Sequence, residues 1–498
     1  MLFRNTLAQS SSFALGYLFS FLLAPLMIAR LGLDAFGVWA VTGAFATYAG
    51  LLDLGVGRSL ARFIAVYDAE GDDRRIGECV GLGLLIVFVV GVLTAALAVA
   101  AAPLLSDSLG VLDSDEMRIV LVASVLIWTF NGADGVFNAV GIGKQQMVPP
   151  NVATAIGVTI NFALSLVALA LSSALTLYAG ANGIAALLGL IPSAIAMRHV
   201  WGGPYVVIPS RSLIREVIGF SLKNQITWFA DLVNLQTDKL IIALMVDIRA
   251  AAVYEIGSRV VAAVRSAAVM SVSAMIPTAA ARIVEEGRGV IRPMYRRYTS
   301  LTCATAFPLF MLATVSSPFL LVAWLGSVPS EAGIVVPILS VAYLVNITTG
   351  VGTTIAIGAG HPGLAATNSV QIAVANVILT VALAPLFGLW GVVVGTAIAI
   401  VFGSLSFNRR FLRMFGLPRR DFWDGVLPAA GYAFAPAVPA GLLAVLAGVP
   451  DSRLQAVPLL LLSVVLYAPP YWWLASRRGL LPERLSLRWA HRRPAPAP

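Results

Sequence analysis

Charge is what this chain has least of. Only 11% of its 498 residues are Asp, Glu, Lys or Arg, and 59% are hydrophobic. Soluble globular chains carry roughly 25% charge, so an ordinary soluble protein is excluded. Cysteine is nearly absent: Cys79 and Cys303 both lie in apolar context, which excludes a disulfide framework and a cysteine-based zinc site. The three histidines, His199, His361 and His491, are far apart and fall near the ends of expected segments, as interfacial residues would. There is no Walker A sequence and hence no intrinsic ATPase, and no catalytic motif that would make the chain an enzyme. Gly358, Gly360 and Gly363 match a dinucleotide fingerprint by letters only, with no strand before them and Pro362 among them. No cofactor is implied. The first apolar segment lacks a small-residue cleavage site and is expected to stay as the first crossing rather than be removed as a signal peptide.

What is abundant is apolar run. Stretches of about 20 apolar residues, enough to cross a bilayer, recur from end to end. They read as about fourteen crossings at 7–29, 36–57, 79–105, 118–141, 150–172, 175–197, 218–245, 250–276, 298–325, 334–358, 364–386, 389–408, 425–448 and 454–475. The fold class is therefore an all-α polytopic membrane protein. With the N-terminus inside, cytoplasmic loops and tails hold 25 of the 33 Lys and Arg. That asymmetry orients the chain with both ends cytoplasmic. An anionic inner leaflet explains the net charge of +9 without nucleic acid.

The stretch Arg30–Arg75 is echoed about 215 residues later, where Ala252-Val253-Tyr254 falls under Gly37-Val38-Trp39. Both copies continue to an Arg and an acidic-Gly turn, Glu70-Gly71 and Glu286-Gly287. Six crossings precede the second copy, so the halves share one orientation, a parallel internal repeat of the kind transporters use. The expected organisation is an N-lobe at 1–197, a cytoplasmic linker at 198–217, a C-lobe at 218–411, two further crossings at 412–475 and a basic tail at 476–498. The loop Arg58–Glu78 is expected as an interfacial amphipathic helix. Asp113-Ser114-Asp115 is expected as a polar outer loop.

Polar residues inside crossings are costly and point to function, at about 2.5–3.5 kcal/mol for a charge at bilayer centre. Asn5, Gln9, Ser12, Gly16 and Ser20 form a line on the first crossing. The seventh carries the corresponding stripe, Asn224, Thr227, Asp231, Asn234 and Asp238, stepping by three and four. Glu255, Arg259 and Arg265 follow on the eighth, and Asp53 sits at the break after the second. Asp231 lies about 20 Å from the outer end of its helix, and Arg259 and Arg265 about 14 and 22 Å from theirs, near mid-membrane. Glu255 and Arg259, four apart, can also pair along their own helix.

The residues Arg30–Ala40 (R-L-G-x-x-x-F-G-x-W-A), Leu51–Gly57 (L-L-D-L-G-x-G) and Arg62–Tyr67 (R-F-x-A-x-Y) carry a resemblance. They look like the amino-terminal signature of Wzx-like lipid-linked oligosaccharide flippases and polysaccharide exporters. These belong to the multidrug/oligosaccharidyl-lipid/polysaccharide superfamily. The resemblance covers roughly 1–300 and thereafter the layout of crossings. It implies two six-helix lobes around a central cleft lined by the first, second, seventh and eighth crossings. It also implies translocation of an undecaprenyl-pyrophosphate-linked oligosaccharide, for O-antigen, capsule or exopolysaccharide. Partners would be membrane lipids and polymerase or export proteins, not nucleic acid. Arg259 and Arg265 would then hold the pyrophosphate, since guanidinium forks match phosphate oxygens and stay charged. Asp238, Asn376 and Thr396 look similar to a sodium site of relatives, although Thr380 stands where a second acid would be expected; Na+ or H+ coupling is the corresponding expectation. Lipid II flippases and multidrug cation antiporters of the same superfamily are alternatives, as is a membrane glycosyltransferase or polymerase. The second crossing has no Arg before Arg58, unlike lipid II flippases; mid-membrane arginines disfavour a cation substrate; and outside loops of about a dozen residues or fewer leave an enzyme little to build with.

Overall fold

A computed structural model describes residues 2–50, 56–203, 207–273, 287–327, 329–477 and 480. Among these residues every regular element is a helix. That is the expected solution in a bilayer, where no water satisfies backbone groups and each segment must close its own hydrogen bonds.

Two compact units divide the chain, Met1–Ala252 and Val253–Pro498. Unit 1 contains α1 (Leu2–Leu31), α2 (Leu33–Ala49), α3 (Val56–Glu70), α4 (Asp73–Leu109), α5 (Ser114–Gly143), α6 (Val148–Leu171), α7 (Leu175–Val200) and α8 (Arg211–Met245). The division falls inside α9 (Ile248–Ser273). Unit 2 adds α10 (Ile291–Leu325), α11 (Ser330–Ile347), α12 (Thr349–Gly358), α13 (Gly363–Met414), α14 (Arg419–Ala447) and α15 (Arg453–Arg477).

Ten stretches of the described chain are long and apolar enough to cross a membrane. One of them, α13, has 52 residues and doubles back at Gly388, where φ is 57° and ψ −135°. Past that point Gly391 and Gly395 lie against Leu383 and the Leu379–Thr380 peptide; a Cβ on Gly391 would come 2.2 Å from the Leu383 carbonyl oxygen. The spacing of these glycines thus serves close helix approach.

In unit 1 the core gathers Leu60, Ile64 and Tyr67 of α3 with Ile76 and Val80 of α4, Val136 and Val140 of α5, Met197 of α7 and Val217 of α8. This corrects the expectation for 58–78. The amphipathic helix exists as α3, but protein covers its apolar face, because α4, α5 and α8 all present apolar residues to it. The linker is also shorter than 198–217, since α7 runs to Val200 and α8 starts at Arg211. Ser210 caps α8 by accepting from the Leu213 amide, while its own amide and hydroxyl donate to Glu78 at 3.1 and 2.6 Å. Nearby, Val207 donates to the Gly77 carbonyl, and a Cβ on Gly81 would lie 2.2 Å from the Val207 oxygen. Asp113-Ser114-Asp115 is a helix start: Asp113 accepts from the amides of Asp115 and Glu116 in a capping box.

In unit 2 the crossing expected at 334–358 is two helices, α11 and α12, parted at Thr348. The Thr348 hydroxyl donates to Val345 O at 2.7 Å and accepts from Asn408 at 2.9 Å, which anchors the break. The crossing expected to start at 298 begins sooner, as α10 at Ile291. Arg292 and Arg296 are drawn into that helix by ion pairs at 2.7 Å to Asp421 and 3.3 Å to Asp424 of α14.

Candidate functional site

In unit 1 the expected site residues lie on α1 and α8. Asn5 and Gln9 are on α1 and Asn224 on α8, with side chains outside the described residues; Asp53 is outside them altogether. Ser12 of the α1 line is buried and donates to Asn151 of α6 at 2.9 Å. Along α8 the stripe passes from exposure to burial: Asp231 is exposed, Asn234 half-buried and Asp238 1% exposed. Beside Asp238, Thr237 shares a hydroxyl–hydroxyl hydrogen bond with Tyr48 of α2. Deeper in the chain order of α8, Ser221 donates to Ser59 of α3 at 2.8 Å. On α5, Asp134 accepts from Asn138 at 2.9 Å and from Ser193 of α7.

In unit 2 the charged group is built on α9. Residues Val253–Gly257 are all buried, and Gly257 admits α11 so closely that a Cβ there would lie 2.6 Å from Val335 Cγ1. Rising from this packed turn, Glu255 accepts from Arg259 Nε at 3.2 Å and Nη2 at 2.8 Å. The pairing that their spacing allows is therefore realised, with side chains 11% and 23% exposed. Neutralising each other lowers the insertion penalty of both without discharging either. Two turns on, the Arg265 guanidinium lies over the Tyr343 ring of α11, 5.3 Å from its centroid. An aromatic face attracts a guanidinium and leaves its edge available to an anion's oxygens.

A second polar group occupies the α13 hairpin. Asn376 and Thr380 are wholly buried, and Thr396 is 1% exposed. The Thr380 hydroxyl donates to Asn376 O at 2.8 Å and so serves its own helix. The amide oxygen and nitrogen of Asn376 and the hydroxyl of Thr396 make no hydrogen bond. Thr396 follows Gly395, which abuts the Leu379–Thr380 peptide one turn after Asn376 in the chain. Neutral oxygens of this kind suit a hard monovalent cation. Among the described residues no three His, Cys, Asp or Glu gather as a metal site would require.

Tyr48, Thr237, Ser59 and Tyr343 were not legible as partners, because each contact joins helices distant in sequence. The available signal was weak: Tyr48 and Tyr343 are hydroxyl-bearing rings within otherwise apolar helices.

Long apolar helices that carry ion-paired and orphaned polar groups inside them define an all-helical polytopic membrane protein. The family model described as polysaccharide biosynthesis protein matches residues 2–283, and the chain belongs to that family. Among solved structures it is similar to the lipid II flippase MurJ in an inward closed conformation. That match has 14% identity over 96% of this chain and 99% of the other, with a TM-score of 0.68. It is also similar to an inward-facing multidrug resistance MATE family transporter of the MOP superfamily. There the identity is 14% over 80% of this chain and 94% of the other, with a TM-score of 0.66. At such identities the likeness is one of fold. No curated protein matches the chain.

Proposed function

We propose that this protein is a flippase that carries an undecaprenyl-pyrophosphate-linked oligosaccharide from the inner to the outer leaflet of the bacterial cytoplasmic membrane. It is not an enzyme in this reading, and it acts by alternating access in the synthesis of a surface polysaccharide. The observation that supports it most is the charged group of α9, where Arg259 is held by Glu255 and Arg265 by Tyr343 within an apolar helix. Two fixed guanidinium groups match a pyrophosphate's oxygens bidentately and suit an organic cation poorly. Glu255 gives Arg259 a single oxygen for both bonds, a position that a phosphate can take over. An inside-negative potential favours outward transfer of each negative charge by about 2.3 kcal/mol per 100 mV.

The test is surface polysaccharide in a strain whose own exporter is replaced by this protein. Arg259→Glu with Arg265→Glu should abolish the polymer while membrane abundance is unchanged and peptidoglycan is normal. Full-length polymer in the double variant would contradict the phosphate role, and rescue of a strain lacking its lipid II flippase would favour that substrate instead. We extend the proposal to Na+ or H+ coupling through buried Asp238. In the same assay Asp238→Asn should remove the dependence on an imposed gradient; an unaltered dependence rejects the coupling.

A further inference from the structure

Unit 2 carries an outward apolar groove that the transport reading does not use. It has a volume of ≈560 Å³ and lies between α11 and the second half of α13, within the about 300–1,000 Å³ typical of ligand pockets. Ala342 and Ala397 form a shallow floor, with Ile338 and Val341 on one wall and Ile398 and Phe402 on the other. The groove exists for a packing reason. Gly403 sits so close to Ile372 that a Cβ would come 2.2 Å from its Cγ1, which seats this half of α13 against the first half. Val341, Ile398 and Phe402 remain 51%, 49% and 60% exposed.

One end of this groove is cationic. At about 100° per residue, Arg409 and Arg413 fall within about 20° of Phe402 around α13, so they continue its exposed row; both are exposed. Next to them Arg410 is fixed, its Nη2 donating to Gln371 at 2.6 Å. The nearby acids are engaged elsewhere, Asp421 with Arg292 and Asp424 with Arg296 and Arg420. Among the described residues no carboxylate pairs with Arg409 or Arg413. From Arg409 to Ile398 the rise is about 16 Å, close to the about 15 Å of one leaflet's hydrocarbon. An exposed apolar row on α15 ends differently: Arg477 lies over Trp473, 4.1 Å from the ring centroid.

We propose that this groove is a binding site for an anionic glycerophospholipid of the leaflet at the Arg409 end. An acyl chain lies along Val341, Ile398 and Phe402, and its phosphodiester meets Arg409 and Arg413. Basic residues near an anionic surface attract it, and the groove adds acyl contact that a flat helix face lacks. The site is independent of the charged group on α9.

Native mass spectrometry of the full-length protein, delipidated in detergent, provides the test with dioleoyl-phosphatidylglycerol, dioleoyl-phosphatidylcholine and undecaprenyl phosphate as probes. One phosphatidylglycerol should be retained at least fivefold more tightly than phosphatidylcholine. Arg409→Gln with Arg413→Gln should remove that preference, and Val341→Trp, which fills the groove without touching charge, should weaken retention of the anionic lipid by a similar factor. A matched control, Val445→Trp on exposed α14, should leave it unchanged. Equal retention of the two phospholipids, or a preference that survives both variants, overturns the site. Stronger retention of undecaprenyl phosphate than of phosphatidylglycerol overturns the assignment of the occupant. Unchanged helical circular dichroism and a monodisperse elution profile are required of each variant, and a second groove substitution, Ala397→Leu, replaces any that fails.

Discussion

Arg259 and Glu255 show how one residue's charge is made tolerable within an apolar helix and kept usable. Spaced four apart, they neutralise each other with two hydrogen bonds to a single carboxylate oxygen, and such charge-assisted bonds are worth about 1.5–3 kcal/mol each when well formed. Solvent screening at a partly exposed pair reduces this to about 1 kcal/mol overall. If a pyrophosphate displaces Glu255, then Glu255→Gln removes a competitor and should tighten binding of undecaprenyl pyrophosphate about fivefold. Titration of the purified protein checks this, and unchanged or weaker binding would show that Glu255 supports the arginine rather than competing for it. The pair itself was legible from spacing alone. Arg265's partner was not, because Tyr343 reaches it from α11, 78 positions away in the sequence.

Elements in this protein are fitted by glycine. Gly391 and Gly395 close the α13 hairpin, where they meet Leu383 and the Leu379–Thr380 peptide. Gly81 was silent in the sequence, yet it lets the backbone at Val207 lie on α4, where Glu78 and Gly77 bind the segment leading to α8. Gly81→Val would force that strap off, and overpacking of this kind typically costs about 1–3 kcal/mol. The expected result is a lower melting temperature with faster proteolysis between Trp201 and Ser210; a variant as stable and as resistant as wild type would show that the strap carries no strain. The same contact explains why the expected linker was too long. Polar and Gly/Pro content marks an irregular stretch, but only Ser210's bonds to Glu78 and Leu213 decide where α8 begins. For α3 the hydrophobic period was read correctly and its covering was not, since a helix buried on protein and one lying on lipid show the same stripe.

For the whole molecule, the distribution of Lys and Arg predicts that the turn between α4 and α5 lies outside and the segment between α7 and α8 inside. Both native cysteines are buried, so single cysteines can report this on a silent background. Ser108→Cys should react with a membrane-impermeant maleimide in intact cells, and Gly202→Cys only after lysis; the reverse pattern would invert the assigned topology. Composition was sufficient to establish a helical membrane protein, because a bilayer admits few backbone solutions and the apolar runs leave none but helix. Periodicity likewise gives which residues of α8 and of α9 share a side of their helix, at 3.6 residues per turn. What only the tertiary structure decided is which of those groups are satisfied and which are left over. Asp134 is answered by Ser193, Thr380 turns back to its own helix, and Asn376 and Thr396 keep unpaired oxygens. Pattern along a chain gives direction around one helix, whereas satisfaction depends on atoms supplied by another helix, and that proximity is set only when the helices pack.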